Sequence, residues 1–259
     1  VRVPDTLRVA RDGGVATVTF DRPPVNAVDL EAIEGFLSVA SMLGSDDSVR
    51  AVVITGTDRA FCAGADVAMM RDLSPGNHRK VRRWIDVQAA IEAMPKPVIA
   101  AVRGYALGGG AELTLACDLR VTSSDSVIGF PEIELGLFPG AGGTQRLPRV
   151  VGPARALRLM MLGERLNGDE AAAIGLVDVV VPSRDEVLPA ATELATRLAE
   201  RATRTIGLLK RVVREGFGLP IGEGLALEEE AVFELIGTED AREGLQAFLE
   251  RRPPRFTGR

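Results

Sequence analysis

The sequence predicts an α/β fold, a core of alternating strands and helices followed by a helical C-terminal segment. Three observations carry that expectation. Short apolar runs recur at Val15–Phe20, Ala51–Gly56, Pro97–Val102 and Leu119–Thr122, interleaved with turns and helical patterns. Glycine is abundant, with 28 residues in 259, and it clusters in runs instead of scattering as in a disordered segment. From about Gly152 the pattern becomes mostly helical.

Taken in order, Val15–Phe20 reads as a strand closed by a turn at Pro23-Pro24. Asp29 is placed to cap a helix running to about Leu43, with Leu30, Ile33, Leu37 and Ala40 or Ser41 on one face. Ala51–Gly56 is apolar without alternation, the mark of a strand buried on both sides, and Pro97–Val102 repeats it ahead of a glycine run. A helix is expected over Ala111–Ala116 and another strand over Leu119–Thr122. Asn167 and Glu170 have capping-box spacing, with Gly175 closing the helix they start. Val177–Val181 is the last clear strand, and Ser183 with Glu186 repeats the capping pattern for a helix toward Ala202. Two or three amphipathic helices follow, broken near Gly216–Pro220 and Gly237, before a basic, irregular tail over Arg251–Arg259. The expected division falls near residue 195, with an α/β core over 1–195 and a helical domain over 196–259.

Composition narrows the function. A net charge of −5 argues against a general nucleic-acid binder. An anionic ligand would need a local basic patch or helix N-termini. The two cysteines, Cys62 and Cys117, lack CxxC spacing and read as small buried side chains, and with one histidine a zinc site of the usual kind is not expected. No secretory leader pattern opens the chain, and no run approaches the ~20 apolar residues of a membrane helix, so the expected location is cytoplasmic. His78 lies in a polar stretch, Arg71–Lys80, and reads as a solvated surface residue rather than part of a triad.

The chemistry concentrates in glycine-rich segments. Glu112 ends the run Gly108-Gly109-Gly110-Ala111, and Glu132 follows Phe130-Pro131 ahead of Pro139-Gly140-Ala141-Gly142-Gly143-Thr144. Glycine lets a ligand approach bare backbone N–H groups, and a carboxylate beside them adds acid–base capacity. Glu112, in a first helical turn, also fits plain dipole capping. Glu132 sits in the apolar setting of Val127–Phe130, where desolvation would raise its pKa. Neither glycine run carries a complete dinucleotide fingerprint or a P-loop Lys-Ser/Thr.

A third glycine-bearing segment, Ala60-Phe61-Cys62-Ala63-Gly64-Ala65-Asp66, completes a pattern. Together with Lys96–Val102 running into Gly108–Leu113, with Phe130–Gly136 and Pro139–Leu147, and with Glu243–Arg252, it resembles the enoyl-CoA hydratase/isomerase family, the crotonases. The resemblance extends from Asp21-Arg22-Pro23 and Asn26-Ala27 to the tail.

That resemblance implies a crotonase-like spiral of strand-strand-helix (ββα) units with a C-terminal helical oligomerisation domain, assembled as a homotrimer or a dimer of trimers. It implies an acyl-CoA thioester substrate, coenzyme A entering only as part of that substrate, and no metal or redox cofactor. The backbone N–H groups of Ala65 and Gly109 correspond to the oxyanion hole, and Glu112 and Glu132 to the catalytic carboxylates of the hydratases. Ala63, Ala65 and Asp66 fall where the family places the adenine of CoA, with Arg22, Arg252 and Arg255 as candidates for its phosphates. The lysine that often follows this turn in related hydratases is replaced here by Val67–Arg71. Met69, Met70 and Trp84 are candidates for the acyl pocket. Retention of both carboxylates favours syn hydration of a trans-2-enoyl-CoA. A Δ3,Δ2-enoyl-CoA isomerase or a hydratase of branched or carboxylated acyl groups is the nearest alternative. A non-catalytic acyl-CoA- or RNA-binding assembly subunit is the alternative from another class.

Overall fold

The structure is a computed structural model that describes residues 3–71, 79 and 82–259; His78 lies outside the described residues. Among the described residues, ten strands form two sheets. The larger sheet has the order β1-β2-β3-β5-β7-β10 and the smaller β4-β6-β8-β9. In the larger sheet, β1 (Leu7–Asp12) pairs antiparallel with β2 (Val15–Phe20), and β3 (Ala51–Thr55), β5 (Val98–Val102), β7 (Leu119–Ser123) and β10 (Val179–Val181) continue in parallel. In the smaller sheet, β4 (Ala60–Cys62), β6 (Tyr105–Leu107) and β8 (Val127–Gly129) are parallel, and β9 (Arg165–Asn167) is antiparallel to β8.

The chain reaches this arrangement by one repeated move. Each of β3, β5 and β7 leaves the large sheet and is followed by a short strand in the small one, β4, β6 and β8. Helical segments then return the chain: α1 (Leu30–Ser45) before β3, α2 (Val67–Arg71) and α3 (Arg83–Ala93) after β4, and α4 (Gly109–Ala116) after β6. This is the spiral of strand-strand-helix units. Its consequence for function is local. Since β4, β6 and β8 are adjacent and parallel, the turns after them emerge side by side at one edge of the small sheet.

The central strands β3 and β5 of the large sheet are buried on both faces, which explains their unbroken apolar runs, while the edge strands β1 and β10 are more exposed. Along β5, Val98, Ala100 and Val102 enter the core beneath the small sheet, while Ile99 and Ala101 face the opposite way. There they meet Val187, Ala191, Ala195 and Ala199, one row along α8 (Arg184–Ala199). Alanine at every fourth position lets that helix lie close on the sheet. Each fully buried valine or isoleucine here contributes about 1.5–3 kcal/mol. The division expected near residue 195 falls inside α8, about one turn before its end.

Some expectations shift by a few residues. Asp29 caps α1 as expected, its Oδ1 accepting the Ala32 N–H at 2.8 Å, a bond of about 1 kcal/mol. The buried face of α1 is Ala32, Ile33, Phe36, Val39, Ala40 and Leu43, whereas Leu30 and Ser41 are exposed. The helix is covered on more than one side, with Phe36 set edge-on against both Phe20 and Trp84. The helix expected from Ala111 begins at Gly109, and the strand expected over Val177–Val181 is confined to Val179–Val181. The capping box at Asn167 and Glu170 forms in full. The second one does not: the Ser183 hydroxyl donates to the Glu186 carboxylate at 2.8 Å instead of binding backbone, and α8 ends at Ala199.

Beyond β8, a 3-10 turn (Pro131–Leu135) leads to α5 (Gly143–Val151) and α6 (Pro153–Leu162), and α7 (Gly168–Ala173) precedes β10. The C-terminal helices are α9 (Thr203–Gly216), α10 (Ile221–Ile236) and α11 (Glu239–Glu250). Helix α9 is fastened to the core by Lys210, which donates to the Lys96 carbonyl and pairs with Asp118 at 2.6 Å. Arg50 anchors the tail, donating to Thr203 Oγ1 and to the carbonyls of Arg201 and Phe256. No helix of the described residues is long and apolar enough to cross a membrane.

Candidate active site

The turn after β4 places Ala63, Gly64, Ala65 and Asp66. Gly64 adopts φ +97, which a side chain disfavours. Gly64 O and Asp66 N–H both bond to Val28, at 2.8 and 2.9 Å. In an extended segment the intervening residue presents its N–H to the other side, so Ala65 N–H faces away from Val28. On that side lies Gly109, where an added Cβ would come 3.7 Å from the Ala65 nitrogen. Gly109 is the first residue of α4, so its own N–H has no intrahelical acceptor. Two backbone donors from different turns thus converge beside a helix N-terminus, where partial positive charge gathers.

Three residues into α4, Glu112 is 2 % exposed. Its Oε1 accepts the N–H groups of Ala141 and Gly143, each at 2.8 Å, and Oε2 takes part in neither bond. Burial pushes this carboxyl above its ordinary pKa, while the amides of Gly143 and Ala141 and the charge of Arg146 pull it back down. The capping reading is therefore incomplete: Glu112 is clamped by the loop before α5.

Glu132 enters from the turn after β8. Its Oε1 lies 3.2 Å from where a Cβ on Gly108 would sit, and its Oε2 is buried without a hydrogen-bond partner. Desolvation, reinforced by the neighbouring charge of Glu112 and opposed by its own backbone N–H, raises its pKa to about 7. The apolar setting read from Val127–Phe130 produces the expected direction. A carboxyl that holds a proton near neutrality, a second carboxylate beside it and two converging amides can together move protons and stabilise an oxyanion.

The other predicted residues separate into groups. Arg22 pairs with Asp29 at 2.8 Å and with Asp66 at 3.0 Å, and that contact first, then the amide of Met69, holds the Asp66 carboxyl below its ordinary pKa. Ala63 donates to the Val25 carbonyl at 3.1 Å in the same turn. Trp84 is buried and reaches the site edge, its Nε1–H donating to the Gly109 carbonyl at 3.1 Å. Met69 and Met70 are half-buried in α2, directly after Asp66. Arg252 and Arg255 are not brought to this cluster. The tail runs past Gly14, Val15 and Arg50, at the N-terminal ends of β2 and β3, whereas Arg22 follows the C-terminal end of β2. A six-residue strand separates those ends by roughly 16 Å. Arg252 is instead engaged with Glu243 and Glu250.

Sequence reading missed Gln88, Glu92 and Arg146, which stand behind the Glu112 clamp. The available signal was an arginine within Gln145-Arg146-Leu147, in a helix otherwise close to the core. Asn26 was noted only as part of a motif. It is buried at φ 56, its amide donates to the Ala60 carbonyl at 2.7 Å, and its Oδ1 accepts the Arg22 N–H.

Spiral ββα topology with convergent amides and paired carboxylates defines a class of acyl-transforming enzymes with the crotonase fold. The chain belongs to the enoyl-CoA hydratase/isomerase family, whose family model matches residues 10–259. It is 38% identical over 255 residues to a crotonyl-CoA hydratase of Syntrophomonas wolfei, covering 97% of this chain and 98% of that one. It is 39% identical to a short-chain-enoyl-CoA hydratase of Clostridium acetobutylicum over 246 residues, 93% of this chain and 94% of that one. Among solved structures, an enoyl-CoA hydratase from Bacillus anthracis superposes with a TM-score of 0.94 at 35% identity, covering 98% of this chain and all of that one.

Proposed function

We propose that this enzyme is an enoyl-CoA hydratase, adding water syn across the 2,3 double bond of a trans-2-enoyl-CoA to give a 3-hydroxyacyl-CoA. The observation that carries this reading is the pairing of Glu112 with Glu132, whose carboxyl is raised to about 7. Glu112 orients the water and takes one proton as the oxygen attacks C3. Glu132 gives its proton to C2, so one proton enters the pair as another leaves. Addition is syn because both carboxyl groups act on the same water. The amides of Ala65 and Gly109 stabilise the enolate oxygen of the thioester, each contributing about 3–4 kcal/mol to the transition state.

Nothing in these steps calls for a metal or a redox cofactor. The turn of Ala63, Ala65 and Asp66, with Arg22 fixed against it, receives the CoA portion, and Trp84, Met69 and Met70 border the acyl chain. The core over 1–195 carries the site. The helices over 196–259 assemble the protein as a homotrimer or a dimer of trimers in the cytoplasm. Large apolar side chains left exposed on α10 and α11, among them Phe233, Ile236, Phe248 and Leu249, support that assembly. Arg252 and Arg255 reach a CoA phosphate only across such a subunit boundary.

The test is loss of the conjugated-thioester ultraviolet absorbance with crotonyl-CoA and longer trans-2-enoyl-CoAs, with identification of the product. Rapid loss with formation of 3-hydroxyacyl-CoA is expected. No loss on any chain length, together with turnover of a 3-enoyl-CoA, would replace hydration by isomerisation.

A further inference from the structure

The clamp on Glu112 is itself held from behind. Arg146 Nη1 donates to the Ala141 carbonyl at 3.1 Å, in the same loop whose Ala141 and Gly143 amides bind Glu112. The guanidinium is fixed by three further bonds: Nη1 to Gln88 Oε1 at 2.9 Å, Nε to Glu92 Oε1 at 2.8 Å and Nη2 to Glu92 Oε2 at 2.5 Å. The forked pair with Glu92 sets the plane of the group, which a lysine would not do. Arginine has only donors, so Gln88 must present its oxygen to it. Gly142, at φ +111 between the two clamping residues, has no room for a side chain because Arg146 lies against it.

The chain of contacts continues outward. Arg214 on α9 pairs with Glu92 at 2.7 Å and with Asp118 at 2.9 Å, and donates to the Ala116 carbonyl at the end of α4. Glu92, Arg146 and Arg214 line a cavity of about 1200 Å³ between α3, α5 and α9. One face of Arg146 therefore touches the Glu112 loop and the other is tied to the C-terminal helices.

We propose that Arg146 is a positioning residue for Glu112, holding the Ala141–Gly143 amides on its Oε1, with Glu92 and Arg214 fixing Arg146 in turn. This rests on the reading of Glu112 as the base. The ionisable groups facing Glu112 are Glu132 and Arg146, with Glu92 and Arg214 beyond them. Cys62, beneath Gly110, takes no part, since burial pushes its thiol up to about 12.

The experiment is steady-state hydration of crotonyl-CoA across pH 5–9 by wild type, Arg146→Gln, Glu92→Gln and Glu112→Gln, each checked for folding by circular dichroism. For Arg146→Gln we expect kcat to fall on the order of tenfold to a hundredfold, with KM little changed. The acidic limb of kcat/KM should move to higher pH, and Arg146→Ala should recover part of its kcat in methylguanidinium. A folded Arg146→Gln with the wild-type pH profile, whatever its kcat, overturns the proposal. If Arg146→Gln does not fold, Glu92→Gln is decisive: the same upward displacement in smaller measure supports the relay, and an unchanged profile overturns it. Glu112→Gln separates the two readings, since full activity in that variant refutes the assignment of the base independently of Arg146.

Discussion

Glu112 Oε1 accepts the Gly143 N–H at 2.8 Å, and a Cβ added to Gly143 would approach that same oxygen to 2.9 Å and Pro139 Cβ to 2.6 Å. The residue that binds the carboxylate is thus one that has no room for a side chain. Gly143→Ala should push the loop off Glu112 and lower kcat on the order of a hundredfold. KM should change little, because the turn proposed to receive CoA, Ala63–Asp66, lies outside this loop. Overpacking should cost about 1–3 kcal/mol of stability. Steady-state kinetics with a thermal melt reads both, and a kcat within threefold of wild type would show that the clamp is dispensable.

Glu132 makes stability depend on pH in a defined direction. Its carboxyl moves from an ordinary 4.5 to about 7 on folding. Below pH 4.5 it is protonated in both states and has no effect. Between 4.5 and 7 the unfolded chain releases a proton that the folded chain retains, so stability falls as pH rises, and above 7 the loss is complete. The site is partly open to solvent, so the net loss is about 1 kcal/mol after screening. Glu132→Gln should therefore melt roughly 2–4 °C above wild type at pH 8 and level with it at pH 4.5, although it should be inactive. An equal offset at both pH values would refute the assignment. In the wild type, the basic limb of kcat/KM should fall near 7 as the paired carboxyls lose the proton they share.

The Arg22–Asp66 pair predicts a selective binding defect. Arg22 already neutralises two carboxylates, so its gain from a CoA phosphate is modest. Arg22→Ala should raise KM for an enoyl-CoA about fivefold, the equivalent of about 1 kcal/mol. The matching pantetheine thioester, which lacks the nucleotide phosphates, should be nearly unaffected. Equal changes for both substrates would make Arg22 a fastener of the turn and not a contact to CoA.

These relationships were unequally legible in the sequence. Strands β3 and β5 of the large sheet were readable because burial on both faces leaves an unbroken apolar run, whereas β1, Leu7–Asp12 and mostly exposed, gave no such signal. The two glutamates were readable because glycine runs mark where backbone must approach something closely. The strands of the small sheet span three residues each, too few to show a period of two, and yet that sheet aligns the turns bearing Ala65, Gly109 and Glu132. Arg146 was hidden for another reason: its partners Gln88 and Glu92 are 58 and 54 residues away, where no local pattern reaches. The face of α1 was misjudged because a helix covered on more than one side buries a wider arc than a single stripe.

Gly64 offers the sharpest test of the two amides. A Cβ there would sit 3.1 Å from the Leu107 carbonyl and 3.4 Å from Gly109 N, in the gap where a thioester oxygen would bind, and φ is +97. Gly64→Ala should therefore occlude one donor and strain the turn that presents the other. Loss of one such donor elsewhere lowers kcat about 10²–10³-fold, and that is the fall expected here, with a stability cost of about 1–2 kcal/mol. The fold should survive, because the packing beneath the turn is untouched. Hydration kinetics alongside a thermal melt distinguishes the cases. A folded Gly64→Ala enzyme within tenfold of wild type would mean that the enolate oxygen is stabilised somewhere other than between Ala65 and Gly109.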